Sequence, residues 1–483
     1  MQAKSTLIVL HATRRIGSVV ALVTLSSCSQ PGAQAQRASI VEQAIWTPDT
    51  QARGLPFNVS PDNRHIAAVA RRGGKEVFLL NGKEVSVHDQ INTYTDLTVS
   101  LDYAFSGTVT SAHTKVAAFS QEGGRVAFAV RDGKSEAVVI DGKTGPAFAS
   151  VFLPVFSRDG KRFAYQASPD GKKQLLVVDD LPTDLYDEIV EGPLFSPDGK
   201  HLAYRAALSD QYSVVADGVR GRSYSHPGGR SSITFSPDGR RLVYEANRNG
   251  RRFLVEGSTE IPGEGYVSWI TFSPDSTRLA YAQDNTLIVD GSTVGTFEQV
   301  DRILFSADSK HFVAAVVKSG HRFLVRDGAT QPVGGDWMDS TTLVVSPDGH
   351  RVAYAALRGD RRVAVADGLA PQPTADSVGP FVFTSDSKRL AFVTRSGAKD
   401  RVVADGVIGP ESDAVALLTF TPDGKDLLYA SSTGGAWRIL AAGREILRCD
   451  ALPPGARLVF EGPRSFRTGC QRKGTFYLIR VPL

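Results

Sequence analysis

FSPDGKHLAY, from Phe195 to Tyr204, decides how this chain of 483 residues folds. An apolar β-type run stops at Phe195. Ser196-Pro197-Asp198-Gly199 then puts Pro where φ near −65° is needed and Gly at the last position of a tight turn. A second apolar run starts at once, so the decapeptide is two antiparallel strands and the reversal between them. The pattern recurs as FSPDG at Phe235 to Gly239, TFSPDS at Thr271 to Ser276 and FTPDG at Phe420 to Gly424. Counting looser copies, the acidic residue of the turn appears ten times, at Asp62, Glu122, Asp159, Asp198, Asp238, Asp275, Asp308, Asp348, Asp386 and Asp423. Successive copies are 33 to 40 residues apart, with a single gap of 60. A period near forty built from strands and turns signals radial or solenoid repetition.

One repeat can be followed from Ile233 to Trp269. Ile233 to Phe235 is a strand, Ser236 to Gly239 the turn, and Arg241 to Ala246 a second strand. Asn247 to Gly250 turns the chain again before a third strand, Arg252 to Val255. Glu256-Gly257 follows, where other copies have Asp217-Gly218, Asp290-Gly291, Asp327-Gly328, Asp367-Gly368 or Asp405-Gly406, a dipeptide that favours a tight hairpin into a fourth strand. Four antiparallel strands in about 38 residues make a blade of an all-β propeller, both faces covered by neighbouring blades. Tyr165, Tyr204, Tyr244, Tyr281, Tyr354, Phe392 and Tyr429 stand six residues after the acidic position and are expected as wedges between blades.

With its basic residues and apolar-Ala-Tyr ending, FSPDGKHLAY resembles the Pro-Asp propeller repeat of the TolB-like, WD-like family, over about Phe57 to Tyr429. That repeat occurs in the TolB periplasmic protein, in tricorn-type proteases and ahead of prolyl-oligopeptidase-type hydrolase domains, so the resemblance implies a fold and no particular activity. The copies drift: Glu122 replaces Asp, Ala307 and Ser385 replace Pro, and Ser276, Ser309 and Ser387 replace Gly. Such drift suits a turn-making acid that accepts backbone N–H groups rather than a catalytic acid.

At the N-terminus, Arg14 and Arg15 precede Ile16 to Leu25, an apolar run too short to span a bilayer, and Leu25-Ser26-Ser27-Cys28 follows. This resembles the lipobox of bacterial lipoproteins. The resemblance implies a signal peptide over 1–27, cleavage before Cys28 and a thioether-linked diacylglycerol on Cys28. Ser29 after the Cys resembles lipoproteins forwarded to the outer membrane, facing the periplasm. SQPGAQAQRA, residues 29–38, reads as a flexible tether, and 39–483 as the propeller array.

The formal charge of +4 falls to +1 once Lys4, Arg14 and Arg15 are removed, 52 basic against 51 acidic residues, so nothing calls for nucleic acid. Cys449 and Cys470, 21 positions apart, are expected to form a disulfide in an oxidising compartment. After the tenth motif, Ala456 to Phe460, Arg464 to Gly469 and Thr475 to Val481 read as three strands lacking a fourth, which Ser39 to Trp46 can supply. About eleven blades result. Single propellers usually have four to eight blades, so two tandem rings are expected, with one large ring as the alternative.

Blade geometry sorts the loops. The acidic turns and the Asp-Gly turns emerge on one face. The hairpins between second and third strands emerge on the other, together with the blade connections and the long insertion around Ile91 to Ser111. The second face is basic, and Arg72, Lys173, Arg251, Arg252, Arg322, Arg361, Arg362 and Arg401 are the candidate binding residues. Their expected partner is an envelope protein or an anionic cell-envelope polymer. The motifs of hydrolase elbows, zinc helices, paired-cysteine sites and P-loops are missing from the sequence, and no cofactor is expected. His65, His201, His311 and His350 stand where other repeats carry Lys or Arg; His88, His113, His226 and His321 are off that pattern. The reading is a non-catalytic binding or scaffold protein. The alternative is a metal-assisted polysaccharide lyase or hydrolase with its site on the loop face.

Overall fold

The computed structural model describes residues 40–48, 56–96, 113–225, 233–263, 265–453 and 455–483. The expected signal peptide and tether, Cys28, His226 and most of the insertion lie outside them. Among the described residues every regular element is a strand, and no helix is long and apolar enough to cross a membrane. The strands form eleven small antiparallel sheets, plus a two-stranded ribbon, Tyr94–Asp96 with His113–Lys115. Counting blades in chain order from the one that starts at Phe57–Val59, blade 4 is typical: Glu188–Phe195, Leu202–Leu208, Gln211–Ala216 and Val219–Arg220 pair in sequence order. Fourth strands carry the most exposed apolar side chains, such as Val407 at 73%. They therefore form the outer rim, and first strands line the central channel.

The core consists of the spaces between blades. The aromatic wedges take the expected places: Tyr204, for example, is buried with Ala164 and Leu176 of the preceding blade. Alanines of second strands, among them Ala127, Ala203 and Ala353, are fully buried and let adjacent blades lie close. Each blade shares one such cluster with the next. The cluster that completes the series joins the last blade to the first: Trp46 stacks on Phe476 at 5.6 Å, and Phe476 meets Phe57 edge-on at 4.8 Å.

This seam corrects the expectation of two tandem rings. A division would need a second closing seam part-way along the chain, but consecutive blades remain packed throughout, so the propeller is a single ring of eleven blades. As expected, the N-terminal strand completes the last blade. Val41–Trp46 pairs antiparallel with Thr475–Pro482 outside Ser465–Arg472 and Val459–Phe460.

Two local readings change. The gap of 60 residues does not fall on the loop face: Gln90–Ile91 and Ala118–Phe119 both pair with Val126–Asp132, so the insertion interrupts the innermost strand of blade 2. Asp367-Gly368 does not lead into a fourth strand, because the sheet of blade 8 stops at Arg361–Ala366. In blade 4, Gly221 donates its N–H to the Val214 carbonyl. Pro371 stands in the corresponding place in blade 8 and has no N–H to donate to Ala364.

Candidate functional site

The turn face is a sealed hydrogen-bond lattice. In nine of the ten turns the Ser or Thr hydroxyl donates to the motif Asp, as Ser273 does to Asp275 at 2.6 Å. The Ser273 hydroxyl in turn accepts from the Arg278 N–H at 2.9 Å. The Ser196 hydroxyl, helped by the Lys200 N–H, holds the Asp198 carboxyl at about 2. The motif acids are thus turn acceptors. Neighbouring turns touch: a Cβ on Gly239 would stand 2.5 Å from Asp198 Oδ1. Where Ser replaces Gly, its hydroxyl accepts from the preceding turn instead: Asp238 N to Ser276 at 2.9 Å, Asp275 N to Ser309 at 3.0 Å and Asp348 N to Ser387 at 3.0 Å. Arginines at the start of second strands complete the lattice. Arg241 Nε donates to Glu256 in its own blade at 2.6 Å, Nη1 to the Ser276 carbonyl of the next blade at 3.1 Å, and the guanidinium lies over Phe272. His201 and His311 hold the same place and bond within their own blade, to Asp217 and Asp327 at 2.7 Å, and the His311 ring also lies 4.9 Å from that of His350 in the next blade.

On the opposite face the structure pairs seven of the eight candidate binding residues with carboxylates. Arg72 meets Glu84, Lys173 Asp187, Arg252 the buried Glu245, Arg322 Asp301, Arg361 Asp376, Arg362 Asp339 and Arg401 Glu411. Arg251 lies over the Phe253 ring. They are spread over several blades, without convergence on one point. Sequence reasoning missed the acids that neutralise this face. Asp187, Glu298, Asp336, Asp376 and Asp413 each accept a backbone N–H from the hairpin of their own blade. Their recurrence 8 to 10 residues before the motif hydroxyl was the available signal.

Among the off-pattern histidines, His88 is buried, with Nδ1 2.7 Å from Asp132 and Nε2 without a partner. His321 is exposed at the start of its strand, and His113 lies in the ribbon. Among the described residues no group of three or more His, Cys, Asp or Glu is placed to hold a metal ion. Cys449 and Cys470 form a buried disulfide with Cα atoms 5.5 Å apart.

The channel wall is where the blades differ. First strands carry a bulge opposite the second strand, between Glu191 and Leu194, Ser268 and Thr271, Val300 and Arg302, Asp339 and Val344, Val378 and Phe381, and Ala416 and Thr419. The insertion of blade 2 enters at the equivalent point. Blades 4 and 9 place glycine at the bulge, Gly192 at φ 95° and Gly379 at φ 120°; blades 6 and 10 place Trp269 at φ 56° and Leu417 at φ 59°. A bulky side chain there strains the backbone by about 1–3 kcal/mol. Trp269 is held by its Nε1–H donating to the Val300 carbonyl at 2.8 Å and remains 47% exposed. Arg302 reaches the Ser340 carbonyl at 3.2 Å, and burial lowers its pKa. Between these groups lies a hollow of about 350 Å³ lined by Trp269, Ile270, Asp301, Arg302, Leu304 and Thr341. A second hollow of about 490 Å³ lies on blades 2 to 4, with Val155, Phe156, Pro193 and Leu194 in its wall.

No family profile and no curated protein matches this chain. Among solved structures, a crystal structure of the eukaryotic initiation factor aligns at 14% identity and TM-score 0.39, covering 73% of this chain and 92% of that one. The dihydro-heme d1 dehydrogenase NirN in complex with DHE aligns at 16% and 0.33, covering 57% and 70%. Kuenenia stuttgartiensis hydrazine synthase aligns at 14% and 0.25, covering 58% and 97%. Likenesses this distant carry no argument. The propeller rests on its own sheet order and seam.

Proposed function

We propose that this chain is an exported, lipid-anchored propeller of the bacterial envelope, with TolB-like repeats, that works by binding a partner and not by catalysis. The observation that supports this reading is the division of labour within the repeat. Turns, wedges and arginine staples recur from blade to blade, whereas the channel bulges are each different, and concave, partly apolar surface lies there. Rigid scaffolds that vary at one edge suit recognition. Cys28 is the proposed attachment point and the outer membrane, facing the periplasm, the proposed location. The partner is an envelope protein or an anionic polymer. Because the basic residues of the hairpin face are paired with acids, bulk charge attraction has a smaller part than the sequence alone suggests.

The test is expression in a bacterial host with labelled palmitate, followed by co-purification from membranes at low and high salt. Labelling that disappears in Cys28→Ala, and a partner that survives high salt, are expected. A soluble, unlabelled product would overturn the anchor. Turnover of an acidic polysaccharide that depends on added divalent metal would overturn the binding reading in favour of a lyase or hydrolase.

A further inference from the structure

We propose that the rim where the ring closes, formed by the outer strands of blades 10, 11 and 1, lies against an anionic phospholipid surface. The inference rests on the anchored reading above for which membrane this is, and adds which side of the ring faces it.

The first observation is charge. Residues 436–483 and Val41–Trp46, which supply the outer half of blade 10 and all of blade 11, carry nine Lys and Arg against four Asp and Glu. The rest of the chain after Cys28 carries 43 against 47, so the basic excess is local to the closing blades. Arg444 and Arg448 stand exposed on the outer strand of blade 10, Lys473 in the hairpin of blade 11 and Lys83 at the start of the outer strand of blade 1. None of the four has an ion-pair partner among the described residues, unlike the arginines of the hairpin face. Cations left free in this way are attracted to anionic headgroups.

The second observation is apolar surface beside that charge. Ile40 and Val41 on blade 11, and Val85 and Val87 on the outer strand of blade 1, are exposed, Val41 to 56%. The two blades adjoin across the closing seam. A soluble anionic polymer offers charge and no apolar layer, whereas a lipid surface presents phosphates and, just beneath them, an acyl boundary that takes Ile and Val.

The third observation is where the chain enters. Ser39 leads directly into Val41–Trp46, and residues 29–38 span at most about 35 Å when extended. A lipid on Cys28 therefore keeps this rim within reach of the bilayer. A lipid chain with a basic patch is a pair of membrane signals, of which the patch sets the orientation.

The test uses the chain from Ser29 on, which keeps the compact unit Ser39–Leu483 whole and carries no lipid. The probes are phosphatidylcholine vesicles with and without phosphatidylglycerol. Sedimentation with the phosphatidylglycerol vesicles should exceed that with phosphatidylcholine alone about tenfold at low salt, and fade at high salt. Arg444→Glu with Arg448→Glu should weaken it about tenfold. Lys318→Glu with Arg358→Glu, the same charge change at exposed residues of blades 7 and 8, should leave it unchanged. An environment-sensitive dye on Val41→Cys should shift to the blue with vesicles, and on the equally exposed rim of blade 4, at Val219→Cys, should not. Equal losses in the two double variants, or equal binding to both vesicle types, would overturn the patch. Vesicle binding without a shift at Val41 would put the contact elsewhere and overturn the rim. Binding to dextran sulfate with none to vesicles would overturn the lipid in favour of a polymer. No binding to any of these would remove the surface, while palmitate labelling decides the anchor separately.

Discussion

At Ser276, Ser309 and Ser387 a departure from the repeat consensus has a physical use. Each serine tolerates φ between 63° and 68° and supplies the hydroxyl that the preceding turn's N–H needs. Ser276→Ala keeps the backbone problem and removes the acceptor, so it should destabilise the ring by about 1 kcal/mol, measured by urea unfolding. The motif acids make a second residue-scale prediction. In the eight from Asp159 to Asp423 the pKa lies below the ordinary 3.8, with Asp198 and Asp275 at about 2. A depressed folded-state value means that their stabilisation is fully present above the unfolded value and is lost as pH falls from near 4 towards 2. Thermal unfolding followed between those limits should show a steep loss of stability. Ser196→Ala, which removes the largest cause at Asp198, should move that carboxyl's NMR titration back towards 3.8. These turns were legible in the sequence because their chemistry is confined to six residues. The partners of Arg322 and Arg362 were not, since Asp301 and Asp339 lie 21 and 23 positions away and meet them only when strands pair.

At the scale of the element, blades 8 and 11 carry the predictions. The Ala364 carbonyl lacks the N–H that Gly221 gives the Val214 carbonyl in blade 4, because Pro371 has none to donate. Pro371→Gly, which supplies that N–H, should extend the hairpin and slow exchange of the Leu369 amide, which is bonded to the Ala366 carbonyl at 3.1 Å, in a residue-resolved experiment. In blade 11, the Cys449–Cys470 bond closes a loop of 21 residues between the outer strand of blade 10 and the second strand of blade 11. Reduction should cost about 3 kcal/mol and expose Ser465–Arg472 first. Strand number, hairpin turns and the completing N-terminal strand could be read from alternation and turn residues. The channel bulges could not: Trp269, Gly379 and Leu417 share a backbone position and no chemistry, so no residue pattern announces them. The insertion of blade 2 was misplaced for the same reason, since its entry is a bulge within a strand and not a turn between strands.

For the whole molecule, the sequence left the number of rings open because closure depends on how tightly successive blades lean, and buried alanines set that lean jointly with the wedges. Closure itself is concentrated at one seam. Removing residues up to Trp46 should strip the edge from Thr475–Pro482, unseat Trp46 from Phe476 and lower the melting temperature by several degrees. The exposed edge should then bring copies together, seen as a rise in oligomer by light scattering. The seam also sets the order of events in time. Thr47 bonds to Thr475 across a separation of 428 residues. Val41–Trp46 leaves the ribosome long before its pairing partner Thr475–Pro482. For the whole interval of synthesis the array is an open arc with two unsatisfied ends, and a helper that shields those ends would govern yield without touching the finished ring.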